Sequence, residues 1–374
     1  MSPSIRFPEF TGEWEYFSIN DVCSEFKSGK NIKADLISSN GNFPVYGGNG
    51  LRGYTSSYNH DGLYVLIGRQ GALCGNVRSV FGKIYITEHA IAVAGNEKSD
   101  TNFLHYLFLK MNLGQYSDQS AQPGLAVNKL LKLKVLLPSI SEQIKIAKLL
   151  SLLDERIAVQ SRLIEDLKKF KCAIVENVLN NRHSRMIRLG DIGSYIRGLT
   201  YSSNDVVEQN GTFIMRSNNI VNGCSLDYYN DVVSVNKRIS KEQMLQNGDI
   251  IICMANGCSA LVGKSSFYDG KCPRSITVGA FCGIYRSEEP IVKWLFQTNR
   301  YRRYIWNSLQ GGNGAIANLN GKDILRMSFP IPDAPVKNNC VKLLTSVDFM
   351  IENATSLCVL YTSQKEYLLR QMFI

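Results

Sequence analysis

Histidine is scarce in this chain. There are four among 374 residues, at positions 60, 89, 105 and 183, and no two stand in HExxH or HxxxH spacing. That excludes a helix-borne zinc hydrolase site. Ten cysteines are scattered without a CxxC pair, which excludes a zinc ribbon or finger, and no metal site is expected. Several lie inside apolar runs such as Ile250-Ile251-Ile252-Cys253 and read as small buried thiols of a reducing compartment. Met1 to Ser18 lacks the apolar core of an export signal. No stretch approaches the ~20 apolar residues that span a bilayer. A cytoplasmic location without a membrane partner is therefore expected.

Catalytic signatures are missing as well. Gly48-Asn49-Gly50-Leu51-Arg52-Gly53 satisfies GxGxxG, but Tyr54 to Tyr58 does not open an apolar-periodic helix, so no dinucleotide or methyl-donor cofactor is expected. Gly257 precedes Gly263-Lys264-Ser265 with one residue too many for a phosphate-binding loop, and Cys272-Pro273 breaks the helix such a loop would need after it. Neither an Asn-Pro-Pro-Tyr-like tetrapeptide nor a Pro-Asp…Glu-x-Lys nuclease pattern occurs. The expectation is a chain with no catalytic residues and no cofactor.

Positive charge is what the sequence does have. Lys and Arg number 42 against 32 Asp and Glu, with a pI near 9.0, which points to a polyanionic partner such as nucleic acid. The length calls for at least two domains.

A large internal repeat supplies them, with a period near 190 residues. Ile19-Asn20-Asp21-Val22 and Leu189-Gly190-Asp191-Ile192 open the two halves. Each leads into a short basic run ending in glycine, Phe26 to Gly29 and Ile196 to Gly198. Ala126-Val127-Asn128 and Ala317-Asn318-Leu319-Asn320 stand near the ends, ahead of Pro138 and Pro330. Ends that match around middles that diverge suit two readers of different targets on a common frame.

After each proline comes a long helical segment free of glycine. Ser139 and Glu142 have capping-box spacing, and Asp333 with Pro335 can start the second helix. Both segments carry a heptad seam. It runs Leu150, Leu153, Ile157, Gln160, Ile164, Leu167, Lys171, Ile174, Val178 in the first. In the second it runs Leu344, Val347, Ile351, Ala354, Cys358, Tyr361, Lys365, Leu368, Met372. A lysine interrupts each seam at the same late step. Antiparallel pairing would bring Lys171 to Asp348 or Glu352 and Lys365 to Asp154 or Glu155, whereas parallel pairing would oppose the lysines. The expected fold is α+β: two similar mixed α/β domains joined by two long helices forming an antiparallel coiled coil, with pseudo-two-fold symmetry. The expected boundaries are 1–140, 141–182 (central helix), 183–333 and 334–374 (C-terminal helix).

Strands are predicted over 43–46, 63–67, 84–93, 250–254 and 276–285, and helices over 102–113 and 290–309. The remainder is glycine-rich turn, with Tyr46 to Tyr54 the most distinctive loop. Asn, Gln and Arg have bidentate matches to adenine and guanine edges, and glycine lets backbone approach phosphate. The candidate DNA-contacting residues are therefore Asn49, Arg52, Tyr54, Arg69, Gln70 and Gln122 in the first half. In the second they are Arg216, Asn218, Asn219, Asn256, Arg274 and Asn313.

Several phrases together resemble the specificity subunits of type I restriction-modification systems. They are Arg6-Phe7-Pro8-Glu9-Phe10 with Trp14; Tyr46 to Gly50; Thr87-Glu88-His89-Ala90; Leu125 to Asn128 with Pro138; Glu142-Gln143-Ile144-Lys145-Ile146-Ala147 to Leu153-Asp154; and the tail Leu368 to Phe373. The second half departs from this pattern, since Asn338-Asn339-Cys340 stands where the first has the Glu-Gln phrase. The resemblance implies two target-recognition domains, each reading half of a bipartite site in double-stranded DNA. It implies that the helix pair sets the spacer and docks two methyltransferase subunits, which bring S-adenosylmethionine chemistry, and that restriction subunits with ATP-driven motors join them. The alternative from another class is a coiled-coil scaffold whose globular ends bind protein.

Overall fold

The computed structural model describes residues 3–118, 123–179, 184–309 and 317–374. The chain forms two compact units, Met1–Arg162 with Thr355–Ile374, and Leu163–Ala354. The division passes through both long helices, so each unit holds the beginning of one and the end of the other.

In the first unit a six-stranded sheet has the order Cys23–Ser28, Ala90–Gly95, His60–Gly68, Val77–Ile86, Phe43–Gly47, Gly50–Thr55. Ala90–Gly95 lies inside it, and its unbroken apolar run covers both faces. Ile91 and Val93 pack with Phe103, Leu104 and Phe108 of the helix Thr101–Met111, while Ala90 and Ala92 pack with Leu66, Ile84 and Ile86 on the other face. Asp100 caps that helix by accepting from the Phe103 amide at 2.8 Å, and Asn112 ends it in the left-handed region.

The second unit has a four-stranded sheet, Ser194–Arg197, Cys282–Arg286, Ile250–Cys253, Ser265–Phe267, and a three-stranded one, Val233–Val235, Thr212–Met215, Ile276–Val278. Ile250 and Ile252 serve one core cluster while Ile251 and Cys253 serve another, as the alternation of a strand requires.

The repeated phrases form a common frame. Glu15–Ser18 pairs antiparallel with Lys134–Leu137, and Arg185–Arg188 pairs antiparallel with Ser328–Ile331. A one-turn helix follows the first strand of each pair, Ile19–Val22 and Leu189–Ile192. The Ile19 amide donates to Leu133 O at 3.0 Å and the Leu189 amide to Met327 O at 2.9 Å. Gly29 and Gly198 are needed for close approach: a Cβ there would stand 2.2 Å from Ile86 O and 2.1 Å from Gly279 O.

Several sequence expectations change. Residues 84–93 and 276–285 are each two strands, because tight turns at 87–89 and 279–281 end one strand before the next begins. Periodicity missed the turn at 279–281 because Val278-Gly279-Ala280-Phe281-Cys282 keeps the apolar run unbroken, whereas at 87–89 the polar Thr87-Glu88-His89 mark the break between two apolar stretches. The helix expected over 290–309 is two, Val292–Leu295 and Asn299–Leu309, the second started by Thr298, whose Oγ1 accepts from the Tyr301 amide. The stretch 46–54 is a β-hairpin turning at Gly48-Asn49. Cys172 and Cys258 are exposed, unlike the buried Cys253 and Cys282.

The long helices span Ile140–Leu179 and Ala334–Gln371. The Glu142 carboxylate does not reach back to Ser139, for Arg6 holds both its oxygens at 2.7 Å. Gln143 is fully buried, its amide oxygen accepting from Asp100 N and its amide nitrogen donating to Lys98 O and Pro138 O. In the second unit a Lys337–Glu289 ion pair at 2.7 Å ties the helix start to the preceding chain.

Both lysine interruptions meet acids. Lys171 donates to Asp348 at 3.0 Å within the second unit, and Lys365 to Asp154 at 2.5 Å within the first. The two contacts obey one antiparallel register, and Leu167 packs with Val347 and Ile351 in keeping with it. Contrary to the sequence expectation, Ala334–Gln371 is long and apolar enough, by length and composition, to cross a membrane. Its Leu344, Val347 and Ile351 are nonetheless buried in the protein core, and its Asp348 is held by two lysines.

Candidate nucleic-acid interface

Three backbone hydrogen bonds recur in both units and gather the same three turns. In the first unit Thr87 N donates to Tyr46 O (2.9 Å), Arg69 N to His89 O (2.9 Å) and Leu125 N to Arg69 O (2.9 Å). In the second, Gly279 N donates to Met215 O (2.9 Å), Met254 N to Phe281 O (2.8 Å) and Leu319 N to Met254 O (2.7 Å). Isolated or short ladder contacts complete each set, Gln70 with Gly124 and Ala255 with Asn318. The turn beginning at Gly47 thus corresponds to the one beginning at Arg216, Arg69-Gln70 to Met254-Ala255, and Glu88-His89 to Ala280-Phe281.

The side chains placed on this shared frame differ. In the first unit Asn49 and Gln70 are exposed and Arg69 half-buried. A Cβ on Gly48 would lie 2.8 Å from His89 O, so only glycine lets the hairpin turn seat against the neighbouring turn. Arg52 lies across Gly47, its Cδ 2.8 Å from where a Cβ would be, and the Arg78 guanidinium lies 3.0 Å from the corresponding point at Gly50. The Gln70 Oε1 stands 3.1 Å from His89 Nδ1, and His89 Nε2 stands 3.2 Å from Glu88 Oε1. Three arginines and a Glu-His-Gln chain therefore surround one pair of turns. Such a set offers donors for guanine or phosphate and an acceptor for an exocyclic amine.

In the second unit Arg216 Nη2 donates to Asp231 Oδ1 at 3.0 Å and to Asp231 O at 3.1 Å, and Asn218 donates to Asp231 Oδ2. Asn256 donates to Ser217 Oγ at 3.2 Å, which joins the second turn to the first. Phe281 is strongly exposed at the third turn.

Not every candidate joins these clusters. Asn219 is buried and its amide is spent locally, accepting from Arg216 N at 2.9 Å and donating to Asn230 O at 2.8 Å. Arg274 stacks over Phe213, 4.6 Å from the ring centroid, and donates to Gly211 O, at the opposite end of Thr212–Met215 from Arg216. Tyr54 sits opposite Pro44 and Ser38, away from the hairpin turn. Gln122 and Asn313 lie outside the described residues. Sequence reasoning did not single out Arg78, Glu88, His89 or Phe281 as contacts. Glu88 and His89 stood in the sequence only as part of the phrase Thr87-Glu88-His89-Ala90.

Residues 11–169 match the family model of the type I restriction modification DNA specificity domain. The chain is 44% identical over 138 residues to the type I restriction enzyme EcoprrI specificity subunit of Escherichia coli, covering 37% of this chain and 33% of that protein. This chain thus spans only about a third of that relative. A putative type I restriction enzyme specificity subunit of Haemophilus influenzae, S.HindORF215P, is 23% identical over 95% of this chain and 93% of its own. The crystal structure of a type I restriction-modification S subunit from M. genitalium shares the fold, with a TM-score of 0.74 at 17% identity over 100% of this chain and 99% of that one.

Proposed function

We propose that this chain is a specificity subunit of the type I restriction-modification family and that it reads DNA sequence for such an enzyme, each unit reading one half of a bipartite site. One observation carries this reading: identical backbone hydrogen bonds gather three turns in both units, and the side chains those turns present are different. A fixed frame with exchanged contact residues is what two readers of unlike targets need. The positive balance of the chain supplies the phosphate attraction on which such binding rests.

The long helices serve as the spacer and as the dock for two methyltransferase subunits, with restriction subunits joining in turn. Exposed apolar side chains support the docking role: Val159 and Leu360 in the first unit, Phe170, Phe349 and Met350 in the second. The subunit itself contributes recognition, and the transfer and cleavage chemistry belongs to its partners in the cytoplasm.

The test is a mobility shift of duplex DNA by the full chain with its methyltransferase subunits. The reading expects binding that weakens steeply with salt, a preference for particular duplexes, and no turnover by the chain alone. Salt-insensitive binding to protein with none to DNA would favour the scaffold alternative.

A further inference from the structure

We propose that Asp231 is a positioning residue for base recognition, a carboxylate brace that holds Arg216 and Asn218 as one coupled reading pair in the second unit. The proposal rests on the reading of these turns as a DNA interface.

The brace is built from the backbone upward. The Asp227 carboxylate accepts from the amides of Tyr229 (3.0 Å) and Asn230 (3.2 Å), which sets a tight turn before Asp231. Asp231 then adopts φ +49°, a region few side chains tolerate. The buried Asn219 stitches this turn to the other, through Asn230 O on one side and Arg216 N on the other. Two turns joined by bonds between residues 11 to 15 positions apart are thus fixed against each other before any ligand arrives.

On that base the Asp231 carboxylate divides its oxygens. Oδ1 takes Arg216 Nη2 and Oδ2 takes the Asn218 amide nitrogen. The backbone oxygen of Asp231 takes a further bond from Arg216 Nη2. Arg216 Nε is buried without a partner, and among the described contacts Arg216 Nη1 and the Asn218 amide oxygen are also uncommitted, a donor and an acceptor on two side chains held by one carboxylate. A neighbouring guanine and cytosine or adenine edge offers the complement, O6 or N7 for the arginine and an exocyclic amine for the asparagine.

The carboxylate itself is well exposed, at 70% of its side chain. On a face that meets phosphate it repels the ligand, so it weakens non-specific binding. Its contribution is to remove the rotamer freedom of two long side chains and to aim them. The first unit has no counterpart at this point of the frame, because Gly47, Gly48 and Asn49 occupy it and Arg52 reaches across from the adjacent strand. The two units therefore aim an arginine at the same place by different means.

The experiment uses the full chain with its methyltransferase subunits, the duplex recovered by selection from a random pool, and the same duplex scrambled in one half-site at a time. Asp231→Ala, Asp231→Asn and Arg216→Ala are compared with the wild type. The expected result for Asp231→Ala is a roughly ten- to hundredfold loss of discrimination at one half-site. Binding to scrambled duplex should be unchanged or tighter, with discrimination at the other half-site intact. Asp231→Asn, which keeps the acceptor for Arg216 and loses the one for Asn218, should fall between. Unchanged discrimination in Asp231→Ala, while Arg216→Ala loses it, would overturn the brace and leave the DNA-reading role of the turn standing. Loss at both half-sites, or a large fall in thermal midpoint with it, would assign Asp231 a purely structural role. Arg216→Ala without effect on discrimination would remove this turn from the interface altogether.

Discussion

Gln70 and Arg69 sit on one turn and do different things. The Arg69 backbone is consumed by the frame, through His89 O and Leu125 N, which leaves only its guanidinium for a ligand. Gln70 meets His89, which in turn meets Glu88. Arg69→Ala and Gln70→Ala should each weaken binding to the cognate duplex by roughly 1–3 kcal/mol if they read bases, with the loss confined to one position of one half-site. A loss equal on all duplexes would make the residue a phosphate contact. Competition binding with single-base variants distinguishes the two. The sequence marked these residues through their hydrogen-bonding type. It could not separate Asn218 from Asn219, adjacent and chemically identical, since one is exposed and the other is walled in by Asn230 from the following turn. Nor could it pair Arg216 with Asp231, since that contact depends on the tertiary course of the chain.

Helices and strands differed in how far they could be read. The heptad seams and their lysines gave the antiparallel register, since charge alone decides where a lysine in an apolar seam can go. Lys171, Asp348, Lys293 and the Trp294 Nε1–H, which donates to Asp348 at 3.1 Å, form one buried network. Asp348→Ala leaves Lys171 buried without its partner and should cost about 3–5 kcal/mol. Lys365→Met removes a more exposed pair and should cost about 1 kcal/mol or less. Denaturant unfolding of the two variants checks the contrast, and equal costs would argue against it. His105 gives a pH prediction for the same region. Burial, aided by the nearby Lys365, lowers its imidazole from 6.5 to about 4. Below pH 6.5 the unfolded chain takes up a proton that the folded chain refuses until about pH 4. Stability is therefore complete above 6.5 and declines as the pH falls from there towards 4. His105→Gln should flatten that part of the stability–pH profile, measured by thermal midpoint, and an unchanged profile would contradict the assignment. The strand runs were harder to read, because a turn such as the one at 279–281 leaves hydrophobicity unbroken.

Across the whole molecule, the proposed function makes the two units independent readers, spaced by helices that do nothing else to the sequence they read. The observed register refines where that spacing can be altered. It brings Leu167 together with Val347 and Ile351, and its next step sets Ile164 beside Ala354. A heptad inserted in both helices therefore belongs after Ile164 and after Asn353. Corresponding steps of the two copies, after Ile164 and after Cys358, suit a parallel pair instead. Seven residues add about 10.5 Å at ~1.5 Å per residue, or about three base pairs at 3.4 Å each. The direct measurement is selection of bound duplexes from a random pool by the full chain with the methyltransferase subunits proposed to dock on it, before and after the insertion. Independent readers on a ruler predict the same two half-sites separated by a gap about three base pairs longer. Altered half-sites at an unchanged gap would contradict them.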